Sequence, residues 1–338
     1  MMRASCSSGA PPPVLGVTLG DPAGVGPELV LRLLGEPAQY AGVRLVVYGS
    51  AGLLREVACA TGIPWPAHLV VVPAADPQLL PPGTAPVLID TPIAGVVQPG
   101  RAQAECGRLS GEWIAAAVRD VRRGLTGAIV TAPICKAAWQ AASINFPGHT
   151  EMLARLTGTQ EVRMFFWSPG LAVGLVTIHV ALSAVRGLLT TERVLETIRL
   201  VAATVRTSRV PSPRIGVLGL NPHAGEGGLF GDAEETVISP AIAAARGEGI
   251  EAVGPLVPDT AFRENARCNY HAFVAMYHDQ GLIPFKMLAF DEGVNVTLGL
   301  PFCRTSPDHG TAFDIAWQGR ASPSSLFAAV RYAAERLV

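Results

Sequence analysis

The chain has 338 residues, of which 49% are hydrophobic and 16% are charged, with a formal net charge of -1. This composition is too apolar for a disordered protein, and the length favours two lobes of roughly 150 residues with a cleft between them. The nearly balanced charge offers no basic excess for nucleic acid or for an anionic membrane surface, so neither is expected as a partner. Any anionic ligand must be held by a local cluster of groups.

The cysteines and the N-terminal stretch favour a cytoplasmic protein. The six cysteines are scattered singly and form no C-x-x-C pair, which argues against a zinc ribbon and against a disulfide framework. Residues 1–13 are rich in Ser and Pro and lack the apolar core of a signal peptide, so we interpret them as a disordered leader. No apolar run is long enough to cross a bilayer.

Short runs rich in Val, Ile and Leu alternate with longer segments of helical period. In chain order, strands are predicted at 14–19, 44–49, 127–133, 161–167, 171–177, 214–219, 272–277 and 294–298. Helical segments are predicted at 27–34, 51–60, 102–123, 149–157, 191–207 and 233–247. This alternation indicates βα units and a mostly parallel sheet, the α/β class.

The loop GDPAGVGPE (20–28) lies between the first predicted strand and the first predicted helix. Its glycines permit a tight turn, and the exposed N–H groups of a helix start can face an anion. The G-x-x-x-G-x-G spacing is neither the dinucleotide fingerprint nor a P-loop. From these residues alone, the favoured interpretation is a structural βα turn with Pro27 at the helix start.

Three of the seven histidines stand beside predicted strand ends: His179, His223 and His278. Loops at the carboxyl ends of parallel strands assemble the sites of α/β proteins, and neutral imidazole is a common ligand of divalent metals. The three residues could therefore form an open metal site. Their spacing matches no local ligand pattern, so ordinary polar or buried histidines remain the alternative.

Polar groups that could meet an anion occur in five further segments. Lys286, Asn295 and Arg304 lie in apolar, Gly-rich sequence, where a buried cation is costly unless a phosphate, a carboxylate or an internal acidic partner meets it. The segment FPGHTE (146–151) predicts either a helix capped by Thr150, with His149 before it, or an anion-binding helix start. The segment SPDHGTAFDIAWQG (306–319) predicts a capped turn before a helix.

The order of eight segments carries a resemblance to a known family. The chain resembles the 4-hydroxythreonine-4-phosphate dehydrogenase family of pyridoxal phosphate (pyridoxine) biosynthesis over residues 16 to 319. The segments that carry this resemblance are GVTLGDPAGVGPE, TAPICK, FPGHTE, NPHAGEGGLFG, PLVPDTAF, MYHDQGLIPFK, GVNVTLGLPF and RTSPDHGTAFDIA.

The resemblance implies roles for eight residues. His179, His223 and His278 match the family's ligands of a divalent metal, which we expect to be Zn, Mg, Co or Mn. The matches to the family's substrate-binding positions are His149, Thr150, Lys286, Asn295 and Arg304.

The resemblance also implies a fold like that of isocitrate and isopropylmalate dehydrogenases, with two α/β/α lobes. The expected lobes are 14–140 plus 306–338 and 141–305. The expected assembly is a homodimer whose active sites, in the interlobe cleft at the dimer interface, draw residues from both subunits. No Rossmann domain is expected. By analogy between the families, a loop would contact NAD or NADP through His309, Gly310, Thr311 and Asp314.

The implied reaction is the metal-dependent, NAD(P)-linked oxidation and decarboxylation of 4-(phosphooxy)-threonine to 3-amino-2-oxopropyl phosphate. Asp259 and Asp279 are candidates for the general base. Dehydrogenation of D-erythronate 4-phosphate, D-threonate 4-phosphate or terephthalate cis-dihydrodiol is the alternative within the family's wider circle. A metal-dependent hydrolase or lyase without a dinucleotide, and a binding protein without activity, are alternatives from other classes.

Overall fold

The computed structural model describes residues 11–74 and 80–337. Most of the expected leader, residues 1–10, lies outside this range. Residues 11–13 contain no helix or strand, and the Pro13 carbonyl accepts a hydrogen bond of 2.8 Å from Arg44 N. Among the described residues, no helix combines the length and the apolar character that a membrane crossing requires.

Strands are numbered along the chain. They are β1 (Val14–Thr18), β2 (Arg44–Gly49), β3 (Val70–Pro73), β4 (Val87–Asp90), β5 (Ala128–Thr131), β6 (Arg163–Ser168), β7 (Leu171–Leu175), β8 (Arg214–Leu218), β9 (Glu251–Leu256), β10 (Ala272–Ala275), β11 (Val294–Leu298) and β12 (Cys303–Pro307).

Helices are numbered in the same way. They are α1 (Gly26–Gly35), α2 (Ala51–Thr61), α3 (Ala104–Arg122), α4 (Lys136–Ala141), α5 (His149–Thr157), α6 (Val185–Leu188), α7 (Thr191–Val205), α8 (Ser239–Gly247), α9 (Pro258–Ala261), α10 (Glu264–Arg267), α11 (His278–Ala289) and α12 (Ser324–Ala334). A π-helical turn (Glu234–Ile238) leads into α8, so the predicted helix 233–247 is divided.

The chain divides into two compact units. The first comprises the described residues up to Gly158 together with those from Pro301 onward, and the second comprises Thr159–Leu300. Residues 141–158 and 301–305, which we expected in the second lobe, fall in the first unit.

The first unit contains six parallel strands in the order β3-β4-β2-β1-β5-β12. The interior strands are continuous runs of buried apolar residues, as strands covered on both faces require; Val17, Val47 and Val130 are all fully buried. Helices α3 and α12 both pack on β5. The carboxyl ends of β1, β5 and β12 are therefore neighbours along one edge of this sheet.

The second unit contains six strands in the order β11-β6-β7-β10-β8-β9. Strand β6 pairs antiparallel with both β11 and β7, whereas β7, β10, β8 and β9 are parallel to one another. Helix α11 packs on β7 and β10 over a buried cluster that includes Phe166, Phe273 and Phe285. The expected α/β class is confirmed in each unit.

Candidate functional site

The three histidines singled out in the sequence follow adjacent strands of the second unit. In the order of the sheet, β7 leads to His179, β10 to His278 and β8 to His223, and the next strand, β9, leads to Asp259. Because these strands are parallel, their carboxyl ends lie along one edge, where α/β proteins assemble ligand sites. The topology thus gathers residues that are far apart in sequence.

Two of these histidines lie side by side. The ring centroids of His179 and His278 are 5.8 Å apart. Nδ1 of His278 lies 2.7 Å from a carboxylate oxygen of Asp279, a contact that leaves Nε2 available to a ligand. Both histidines line a cavity of about 310 Å³, the histidine cavity, whose walls are Ile178, His179, Val180, Leu182, Val185, Tyr277, His278 and Asp279. This donor pair fits a divalent cation.

His223 is not brought into this pair. Its loop has left-handed backbone conformations at His223 (φ 52°) and Ala224 (φ 52°), and the exposed His223 ring lies 6.2 Å from the ring of Phe230. Within residues 11–74 and 80–337, no three His, Cys, Asp or Glu side chains are grouped closely enough to hold a metal ion. The structure therefore unites two of the three expected ligands.

Three other predicted residues of the second unit occupy different positions. Asp259 is exposed on the short helix α9. Lys286 lies on α11 with Nζ 5.9 Å from the centre of the Phe290 ring. Asn295 is on β11, and its side-chain oxygen is buried with no hydrogen-bond partner among the described residues. An enclosed acceptor of this kind is suited to a donor that a bound ligand supplies.

The first unit holds a buried cation. Arg304, on β12, is only 2% exposed. It donates hydrogen bonds to the hydroxyl of Thr131, from Nε over 3.2 Å and from Nη2 over 2.5 Å. Burial lowers the pKa of Arg304 to about 9, which leaves the guanidinium protonated at neutral pH. A buried guanidinium can form strong charge-assisted hydrogen bonds to an anion, so Arg304 is a candidate for binding an anionic group.

His149 is the first residue of α5 and lies near this cation. Its Nε2 is buried without a hydrogen-bond partner among the described residues, and its ring meets the ring of Trp139 edge-on at 5.9 Å. Burial, and then the positive charge of Arg304, hold the pKa of His149 well below 6.5. The imidazole is therefore neutral at pH 7 and can hydrogen-bond a ligand without adding charge.

Of the two alternatives for this segment, a helix capped by Thr150 is wrong. Helix α5 begins at His149, and Gly148 precedes it in an extended conformation without a side-chain cap. Thr150 consequently lies in the first turn, where the backbone N–H groups of a helix are open to an anion.

Two residues near His149 and Arg304 were not singled out by the sequence analysis. Thr131 ends β5 and supports the Arg304 guanidinium. Lys136 begins α4, and its Cε would lie 3.9 Å from a Cβ placed on Gly148, so it runs beside the start of α5. Both belong to the segment TAPICK, which is one of the segments that carry the family resemblance.

The loop expected to meet a dinucleotide contacts the glycine-rich loop after β1. Val25 N donates to the Thr311 carbonyl over 3.0 Å, and Trp317 Nε1 donates to the Pro22 carbonyl over 3.1 Å. A Cβ on Gly24 would lie 3.0 Å from the Thr311 Cβ, so the two loops approach each other closely at this glycine. His309, Gly310 and Asp314 are exposed, and turns rather than a helix follow this loop until α12.

Asp21, the second residue of the glycine-rich loop, is fully buried. One carboxylate oxygen accepts from Ala23 N over 2.8 Å, and the other has no hydrogen-bond partner among the described residues. Burial raises the pKa of Asp21 from 3.8 to about 6. Near neutral pH the folded chain thus holds a poorly compensated carboxylate.

We expect Asp21→Asn to remove a pH-dependent destabilisation. A folded pKa above the unfolded one means that the free energy of unfolding falls as the pH rises from about 4 to above 6. The free energy of unfolding of Asp21→Asn, minus that of the wild type, should therefore increase by on the order of 3 kcal/mol as the pH rises over that window. Urea unfolding at pH 4.5 and pH 7.5 measures it, and the pH-independent effect of the substitution cancels. An identical slope in both proteins would contradict the prediction.

Comparisons with known proteins agree on a dehydrogenase. A protein of Desulfosudis oleivorans named 4-hydroxythreonine-4-phosphate dehydrogenase is 44% identical over 328 residues, which cover 96% of each chain. A D-threonate 4-phosphate dehydrogenase of Pectobacterium atrosepticum is 40% identical, over 95% of this chain and 98% of the relative. The chain is an oxidoreductase that acts on CH–OH groups.

The family follows from a second comparison. The family model described as pyridoxal phosphate biosynthetic protein PdxA matches residues 42–333. The chain belongs to this family, as the resemblance in the sequence analysis implied.

Solved structures of dehydrogenases are similar to this chain over nearly its whole length. A 4-hydroxythreonine-4-phosphate dehydrogenase from Klebsiella pneumoniae has a TM-score of 0.85 at 42% identity, with 96% of this chain and 98% of that chain covered. A terephthalate 1,2-cis-dihydrodiol dehydrogenase from Burkholderia xenovorans has a TM-score of 0.68 at 26% identity, over 95% of this chain and 97% of that chain.

Proposed function

We propose that the protein oxidises and decarboxylates 4-(phosphooxy)-threonine to 3-amino-2-oxopropyl phosphate, with NAD or NADP as hydride acceptor and a divalent metal. The observation that carries the proposal is the succession β7, β10, β8 and β9, which brings three histidines and one carboxylate to a single sheet edge. Membership of the PdxA family, with relatives named dehydrogenases of phosphorylated four-carbon acids, supports the same reaction.

We assign the metal to His179, His223 and His278, with Zn, Mg, Co or Mn as candidates. A divalent cation bound there would lower the pKa of the substrate hydroxyl and stabilise the negative charge that develops on its oxygen. Asp279 holds Nδ1 of His278 and so orients this ligand, a role that fits its position better than that of general base. Asp259 remains the candidate base.

The proposed phosphate site is supported by the charge of Arg304 and the hydrogen-bonding capacity of His149. Arg304 supplies a buried, protonated guanidinium. His149 supplies a neutral imidazole whose Nε2 is buried without a hydrogen-bond partner among the described residues. We propose that these residues and Thr150 bind the phosphate of the substrate. Lys286 and Asn295, in the second unit, are the other proposed substrate-binding residues. Held remotely from the reacting carbon, the phosphate would fix the hydroxyl in its reactive orientation.

We place the dinucleotide on the paired loops that contain Gly24 and Thr311. The nicotinamide, when bound, accepts the hydride from the carbon that bears the hydroxyl. His309, Gly310, Thr311 and Asp314 line an accessible loop at the carboxyl end of β12, in contact with the start of α1. Loss of the hydroxyl proton and of the hydride would leave a ketone β to the carboxylate. Carbon dioxide would then depart, and the α-carbon would take up a proton to give the product.

We also propose a homodimer in the cytoplasm. Ile283, Met287 and Phe290 follow one another at helical spacing on and just after α11 and are 59%, 82% and 73% exposed, an apolar face of the kind that a second copy covers. Because α11 begins at His278, such an interface would lie beside the histidine cavity. A monomer at micromolar concentration in sedimentation equilibrium would contradict this assembly.

A turnover panel tests the reaction. The metal-loaded enzyme is given 4-(phosphooxy)-threonine and NAD or NADP. We expect it to form one mole of reduced nicotinamide, measured by absorbance, for each mole of carbon dioxide. D-threonate 4-phosphate, D-erythronate 4-phosphate and terephthalate cis-dihydrodiol are the competing substrates, each compared by kcat/KM. A higher kcat/KM for one of these assigns the enzyme to that substrate instead. Consumption of substrate without any absorbance change would favour a hydrolase or lyase.

A further inference from the structure

A buried glutamine joins two of the histidine loops. Gln280 lies in the first turn of α11 and is 9% exposed. Its side-chain oxygen accepts from Met276 N over 2.7 Å, and its side-chain nitrogen donates to the Gly219 carbonyl over 2.7 Å. Met276 precedes His278 by two residues, and Gly219 begins the loop that reaches His223. One amide therefore bridges the backbones of both loops.

The third loop is attached to the same point. The Met276 carbonyl accepts the hydroxyl of Thr177 over 2.7 Å and the Thr177 N–H over 3.2 Å. Thr177 is 1% exposed and precedes His179 by two residues. Residue 276 is thus bonded on one side to the loop of His179 and on the other, through Gln280, to the loop of His223.

A buried carboxylate holds the other side of the His223 loop. Glu234, at the start of the π-helical turn, is 3% exposed. One of its oxygens accepts from Leu220 N and from Asn221 N, each over 2.7 Å, and the other accepts from the Asn221 side chain over 2.9 Å. A Cβ on Gly225 would approach that second oxygen to 2.8 Å, so the loop closes tightly around the carboxylate.

We propose that Gln280 and Glu234 are positioning residues that hold the three histidine loops in register, so that the metal affinity of the histidines depends on side chains that never touch the metal. This inference rests on the proposed function. The loop of His223 contains successive left-handed residues at 223 and 224, a conformation that persists only where the surroundings enforce it. The two side chains supply that enforcement, because their bonds end on the backbone at 219–221 and 276.

Gln280→Met tests the inference, since methionine has a similar volume and provides neither hydrogen bond. Ser168→Ala is the matched control: Ser168 is also buried and bridges backbone in the same unit, bonding Leu171 N and O, but at the opposite end of β7. The measurements are the Kd for Co²⁺ by chelator competition, the Co²⁺ absorption spectrum and the Tm of the metal-free protein.

We expect Gln280→Met to weaken Co²⁺ binding by about 10-fold or more and to alter the spectrum. Ser168→Ala is expected to lower Tm without either change. If Gln280→Met lowers Tm but leaves Kd and spectrum as in the wild type, Gln280 is merely structural and the inference fails.

Glu234 provides an independent test should Gln280→Met not fold. Glu234→Gln keeps one oxygen for the Leu220 and Asn221 N–H groups, so it should retain most of the Co²⁺ affinity that Glu234→Ala loses. Equal, wild-type affinity in both variants would overturn the role of Glu234. If the wild type and His278→Ala bind Co²⁺ equally, the proposed metal site itself is wrong, a result distinct from a failure of the positioning residues alone.

Discussion

Replacement of His278 by alanine is expected to abolish stoichiometric metal binding and with it most of the turnover. The variant loses one of two imidazoles whose ring centroids are 5.8 Å apart, together with the Asp279 contact that orients it. We expect the metal affinity to fall by at least about 100-fold. Loss of a residue that only hydrogen-bonds a metal ligand typically weakens affinity by about 10- to 100-fold, and loss of the ligand itself has a larger effect. Elemental analysis of the dialysed variant measures it.

His271 offers a matched control for this experiment. It precedes β10 at the amino end, whereas His278 follows the same strand at the carboxyl end, and its Nδ1 accepts from Arg214 N over 2.9 Å. His271→Ala should retain the metal. Normal metal content and activity in His278→Ala would show that the proposed metal site is wrong. The corresponding result for His223→Ala would reduce the proposed triad to a pair.

Replacement of Arg304 by alanine is expected to impair the phosphorylated substrate selectively. Loss of the buried guanidinium should remove about 2 to 4 kcal/mol of transition-state binding, which would lower kcat/KM roughly 30- to 1000-fold. The dephosphorylated analogue never makes this contact, so its turnover should change little. Metal content should stay intact because Arg304 lies in the first unit and the histidines lie in the second.

Arg44 is the matched control for Arg304. It is also a buried arginine on a strand of the first unit, 7% exposed, and it donates to the Ala85 carbonyl over 2.8 Å. Arg44→Ala should lower the free energy of unfolding without distinguishing the two substrates. Equal losses of kcat/KM on both substrates with Arg304→Ala would show that Arg304 is structural.

Buried parallel strands could be predicted from the sequence because they are continuous apolar runs. Strands β1, β2, β8 and β10 lie where the Val- and Ile-rich segments predicted them. The misses have physical reasons. Strand β12 has the polar sequence CRTSP yet is largely buried, so no apolar run marks it in the sequence. Strand β3 is a partly exposed edge strand that ends in Pro73, and α11 contains Pro284.

Part of the candidate site could be predicted and part could not. The histidines could be proposed as ligands from their places beside strand ends. The strand order places them along one sheet edge, but only His179 and His278 lie side by side. The supports of the site were missed because Thr131, Gln280 and Glu234 act through hydrogen bonds to residues distant in sequence. Such bonds leave no periodic pattern, and a buried glutamine or glutamate is indistinguishable in sequence from an exposed one.

The first unit is assembled from two stretches of chain that are separated by the whole of the second. Its strand β12 and helix α12 follow the second unit in the chain, so β5 can pair with β12 only after the second unit has been synthesised and β12 has left the ribosome. The continuous second unit has no such requirement. During translation, the second unit with its histidine loops can therefore fold before Arg304 has been synthesised. A chain that stops near residue 300 would expose one edge of β5, the kind of unpaired edge that promotes aggregation.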